Sequence, residues 1–101
     1  MQPHTDFTWI VPGDYAACRG HFPGRPIVPG AALLDRAVLC AATLCSPAAS
    51  AWQVAQAKFL LPVTPGTVLT YELQARADGS IAFTIRAGDL PVAAGRLQPV
   101  P

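Results

Sequence analysis

The sequence predicts an α+β fold in which a curved antiparallel sheet wraps a central helix. Two patterns carry that expectation. From Gly30 to about Cys45 the stretch GAALLDRAVLCAATLC is rich in Ala and Leu and has no Gly or Pro after its first residue, the pattern of an α-helix. Beyond it, apolar residues recur with a period of two, as they do in strands that bury one face. One short strand pattern, one helix and then a run of strands, with no repeat, low-complexity tract or linker, make residues 1–101 a single domain.

Phe7 to Val11 is rich in aromatic and β-branched residues and is bounded by Pro12-Gly13, so it is expected as the first strand. Residues 12–29 read as loop, punctuated by Pro23-Gly24, Pro26 and Pro29-Gly30. The helix that follows would be about 24 Å long. It is apolar nearly all the way round, interrupted only by Asp35, Arg36 and Thr43, so other structure must surround it. Trp52 to Val63 is a long extended segment ending at Pro62-Val63-Thr64-Pro65-Gly66. Leu69, Tyr71, Leu73, Ala75 and Ala77 then alternate with Thr70, Glu72, Gln74 and Arg76. Asp78-Gly79 supplies a hairpin turn, because Gly accepts positive φ and Asp tolerates it. Ile81, Phe83 and Ile85 resume the alternation, and Pro91 to Leu97 is a weaker last strand. This order of elements is that of the hotdog fold.

Composition narrows the function. Hydrophobic residues are 51% of the chain and charged residues 13%, which leaves apolar surface in need of cover and favours a dimer. A net charge of +1, with seven basic residues scattered singly, argues against nucleic acid. No segment reaches the roughly 18 apolar residues of a membrane span, and the first residues carry no basic, then apolar, leader pattern. Cys18, Cys40 and Cys45 are an odd number without a CxxC pair, so no disulfide framework or metal site is expected, and reduced thiols suit a cytoplasmic protein. Cys40 and Cys45 read as core packing, and His4 as part of a frayed terminus. Trp9, Trp52, Phe59 and Phe83 read as core or dimer contacts.

The stretch from His21 to Asp35, HFPGRPIVPGAALLD, breaks its backbone repeatedly before placing a carboxylate inside an apolar helix. With Gly20 it resembles the active-site segment of the 3-hydroxyacyl-(acyl carrier protein) dehydratases, the FabZ/FabA family, at Gly20, His21, Phe22, Pro23, Gly24, Pro26, Pro29, Gly30 and Asp35. Lys58-Phe59 and Pro62-Val63 with Pro65-Gly66 resemble the family's second motif. Compact relatives of this kind occur in polyketide and aryl-polyene pathways. The sequence departs from the family pattern at Leu39, where Gln is common, and at Thr67, where Asp is usual.

Dehydrating a 3-hydroxyacyl thioester requires a base for the C2 proton, an acid for the C3 hydroxyl, and a donor for the charge that builds on the thioester carbonyl. His21, with an ordinary pKa near ~6.5, suits the base. Asp35 suits the acid if burial on the apolar helix raises its pKa. The resemblance implies a homodimer or higher assembly in which His21 and Asp35 meet from different subunits. It further implies that the Gly30 N–H holds the thioester carbonyl, and that Phe22 and Leu39 touch the substrate. No metal or organic cofactor is implied, and the acyl chain arrives on the phosphopantetheine arm of an acyl carrier protein. Such carriers are acidic, and Arg19 and Arg25 flank the loop where one would dock. Arg36, about 100° round the helix from Asp35, is expected outside the catalytic pocket. A non-catalytic acyl-binding partner subunit and an acyl thioesterase remain as alternatives on the same fold.

Overall fold

The computed structural model describes residues 4–13, 27–45 and 51–100. Its elements are β1 (His4–Ile10), α1 (Gly30–Cys45), β2 (Ala51–Phe59), β3 (Val68–Ala75), β4 (Ile81–Ala87) and β5 (Leu90–Val100). The five strands form one sheet in the order β1-β3-β4-β5-β2, every neighbouring pair antiparallel. Among the described residues, one helix lies against a five-stranded antiparallel sheet, the hotdog architecture that the sequence implies.

The period of two becomes rows of side chains across the sheet. Tyr71, Ile85 and Ala93 stand in one row and Leu73, Phe83 and Gly95 in the next, with Ile81 opposite Leu97. These positions carry the core. Against them α1 turns Leu33, Ala37, Cys40 and Ala41, whose spacing of four, three and one residues marks one helix face. The buried Tyr71 hydroxyl donates to the Leu33 carbonyl at 3.2 Å, joining β3 to the helix. A ring that brought its hydroxyl into this apolar layer unpaired would lose roughly 1–3 kcal/mol, so the bond fixes where the helix lies.

Three boundaries differ from the expectation. His4 does not fray: it begins β1 and pairs with Gln74, because β3 extends far enough to offer it a ladder partner. β2 ends at Phe59 rather than Val63. There the Leu60 and Leu61 N–H groups both donate to the Val92 carbonyl, at 2.9 and 3.4 Å, and Pro62 has no N–H with which to continue the ladder. The last strand is the longest, with 11 residues rather than the seven expected. Its Ala93-Ala94-Gly95 centre has weak intrinsic preference for extended structure, but hydrogen-bonded neighbours on both sides override that preference. Two tight turns rest on positive φ, at Gly79 (88°) between β3 and β4 and at Gly88 (61°) between β4 and β5.

The helix also differs from the expectation of cover on all sides. Ala31, Asp35, Leu39, Ala42 and Thr43 are exposed in the single chain, and Leu39 reaches 59%. Among the described residues no helix is long and apolar enough to cross a membrane.

Candidate active site

Pro29 caps the helix. Its carbonyl accepts the N–H groups of Ala32 at 3.0 Å and Leu33 at 3.3 Å, so Gly30 and Ala31 supply the first N–H groups, which have no acceptor within the helix. The first turn contains no acidic residue and the last turn no basic one. Nothing on α1 itself therefore neutralises the positive end of its dipole.

That end opens on a cleft of about 460 Å³, walled by Ile27, Val28, Gly30 and Leu33 on one side and by residues 59–63 on the other. The walls are the two sequence motifs. They are fastened together by the Val28 N–H, which donates to the Val63 carbonyl at 2.7 Å. Behind them, the Gly66 N–H donates to Val11 O at 2.8 Å and the Val11 N–H to Thr67 O at 3.0 Å, so the turn of the second motif is also anchored to the end of β1. Gly66 makes that turn at φ 89°. Thr67, which stands where the family pattern has Asp, donates its N–H to Thr64 O at 3.3 Å and serves the turn.

Gly30 has a second constraint that the sequence does not reveal. A Cβ there would stand 2.8 Å from Cζ of Phe59, whose ring lies across the helix entrance. Phe59 is half exposed and lines the cleft, so of the core and dimer contacts expected for it the single chain supplies no core position. Its position within the second motif was the available signal. Trp9 and Trp52 pack partly buried against the core and Phe83 lies within it.

Asp35 lies about one and a half turns beyond Gly30 on the exposed helix face. The burial expected of it is not supplied within one chain. Leu39 sits one turn further along the same stripe. Arg36 lines a second hollow with Leu39 and Trp9, its guanidinium 4.4 Å from the centroid of the Trp9 ring, a stacking contact that holds it against β1. Cys40 is buried, and that burial pushes its thiol pKa up, with Arg36 opposing the shift. It is a packing residue, as expected. His21 and Phe22 lie outside the described residues, as do Cys18, Arg19 and Arg25.

A family model described as ApeI-like, ApeI dehydratase, matches residues 2–96. The chain belongs to the ApeI-like dehydratase family. Sequence similarity extends to a 3-hydroxyacyl-[acyl-carrier-protein] dehydratase FabZ from Aliarcobacter butzleri, 35% identical over 71 residues, which covers 58% of this chain and 48% of that protein. The chain thus spans about half the length of the curated relative it matches. The ApeI:P dehydratase heterocomplex from Xenorhabdus doucetiae contains a chain that superposes with a TM-score of 0.84 at 23% identity, over 100% of this chain and 90% of that one. A variant of the fluoroacetyl-CoA-specific thioesterase FlK superposes with a TM-score of 0.65 at 13% identity, over 95% of this chain and 89% of its own. At these identities the two structures establish the fold, which the dehydratase family shares with thioesterases.

Proposed function

We propose that this chain removes water from a 3-hydroxyacyl thioester on an acyl carrier protein, giving the trans-2-enoyl thioester in cytoplasmic fatty acid or polyketide/aryl-polyene biosynthesis. The observation that carries this reading is the junction of the two motifs at the helix entrance, where the first helical N–H groups, which have no acceptor within the helix, adjoin an apolar cleft. The His21 imidazole takes the C2 proton, and the C3–O bond breaks. Hydroxide leaves as water with the proton of Asp35, and the Gly30 N–H holds the charge on the thioester carbonyl. No metal or organic cofactor takes part. A second subunit covering the stripe of Ala31, Asp35, Leu39 and Ala42 would exclude water from the Asp35 carboxyl that a single chain leaves exposed.

A homodimer or higher assembly built from this chain gives two such sites per pair. The ApeI:P neighbour is a heterocomplex, which favours a second reading in which an unlike dehydratase chain supplies the cover and this chain is its acyl-binding partner. Thioester hydrolysis has no comparable support beyond the shared fold.

The test is a pair of variants, His21→Ala and Asp35→Asn. Each should remain folded and lose a factor of roughly 10²–10⁴ in turnover, and the double variant should lose little more than the worse single one. Mixing the two under conditions that exchange subunits should restore activity at one of the two sites in each mixed dimer. Near-wild-type dehydration by either single variant overturns the assignment. An inactive wild type that becomes active only with an unlike chain establishes the partner-subunit reading.

A further inference from the structure

The cationic side chains of this protein are unevenly used. Of the five Lys and Arg residues among those described, Arg36 is stacked on Trp9 and Arg86 has its Nε 2.7 Å from Oε1 of Glu72. The other three, Lys58, Arg76 and Arg96, all line one groove of about 370 Å³ on the face of the sheet opposite the helix. Its floor is made of small side chains, Ala82, Thr84 and Ala94, which register side by side across β4 and β5 with Arg96 and Lys58. Nε of Arg96 is buried there and has no hydrogen-bond partner among the described residues. The nearby carboxylate of Asp78 feels both Arg76 and Arg96 but is held by the N–H and hydroxyl of Ser80, at 2.9 and 2.6 Å.

The groove lies back to back with the apolar cleft. Both use β2, Lys58 lining one and its successor Phe59 the other, because consecutive strand residues face opposite sides. We infer that this outer face, rather than the loop bearing Arg19 and Arg25 alone, docks an acidic partner, and that the partner is the carrier protein whose tethered thioester enters the cleft. The inference rests on the proposed dehydratase reading and adds to it the surface that receives the substrate. Three cations that form no salt bridge among the described residues, above a floor of small side chains, complement a carboxylate-rich surface, and such pairing acts chiefly on encounter rate and salt dependence.

The experiment compares the wild type with Lys58→Glu/Arg76→Glu, two exposed positions whose reversal spares the partly buried Arg96. Arg96→Gln serves as a milder third change and Arg19→Glu/Arg25→Glu as the loop control. Three measurements are made: KM and kcat on a carrier-linked 3-hydroxyacyl substrate, turnover of the same acyl group on free pantetheine, and carrier binding by calorimetry at two salt concentrations. The expected result for the double reversal is a KM and a carrier Kd raised ~10-fold or more, with kcat and free-pantetheine turnover within about twofold of wild type. An unchanged carrier KM and Kd in the double reversal, with the loss appearing only in the loop control, overturns the docking surface and leaves the dehydratase reading standing. A wild type inert on both substrates defeats the dehydratase reading, and calorimetry then decides the docking. Carrier binding weakened by the double reversal sustains it, and no carrier binding to the wild type overturns it.

Discussion

Two glycines of this chain are held by aromatic rings, and the two differ in what would yield. At Gly30 the obstacle to a Cβ is the free end of Phe59, a half-exposed side chain that can swing aside. At Gly95 a Cβ would collide with the Gln56 carbonyl of β2 and stand 2.7 Å from Cζ of the buried Phe83. Backbone of a paired strand and a ring enclosed by the core have nowhere to go. Gly95→Ala is therefore expected to destabilise the fold by ~1–3 kcal/mol, as overpacking does, while Gly30→Ala costs less. Thermal unfolding of the two variants checks the order. A smaller loss at Gly95 than at Gly30 would mean that β2 and β5 separate more easily than their ladder implies.

The β3–β4 hairpin shows how charge supports an element. Asp78 accepts from both the N–H and the hydroxyl of Ser80, and those bonds hold its carboxyl pKa below the ordinary carboxylate value. A lowered folded pKa favours the ionised form. The contribution to stability is complete above the unfolded pKa and is lost as pH falls through the folded one. Asp78→Asn should lower the melting temperature at neutral pH, and the gap from wild type should close on acidification below the carboxylate range. A gap that persists unchanged at low pH would assign the effect to shape rather than charge. The turn, the helix bounds and the alternation through β3 and β4 were all legible in the sequence, because each is written in local chemistry: Gly after Asp, an Ala/Leu run, a period of two. The end of β2 was not, since Leu60-Leu61 continue the apolar run and the ladder already stops, before Pro62, at the doubly used Val92 carbonyl. β5 was underestimated because its length depends on flanking strands. At the site, the motifs named Gly30 and Asp35 as candidates, while the placing of the Phe59 ring over the helix entrance depends on packing as well as on the motif that contains it.

For the whole molecule, the surface left bare by one chain sets its assembly. The Asp35–Leu39 stripe, together with Phe59, Leu60 and Leu61, exposes large apolar side chains, and covering a side chain such as Leu39 is worth about 1.5 kcal/mol. Light scattering at micromolar concentration is expected to give at least twice the 10.6 kDa chain mass, and Leu39→Asp to shift the population towards monomer. A wild-type mass near that of a single chain would remove the case for a site shared between copies.

The strand order also dictates a timetable for synthesis. β2 is complete once Phe59 has been made, yet its sheet neighbour is β5, which begins at Leu90 and is the last strand of the domain to emerge. Until then β3, β4 and their hairpin can form locally, while the segment from Ala51 to Phe59 lacks its native partner, and pairings this distant in sequence form slowly. A ribosome paused anywhere between these two strands holds a nascent chain with an unclaimed strand, open to chaperones or to another nascent copy.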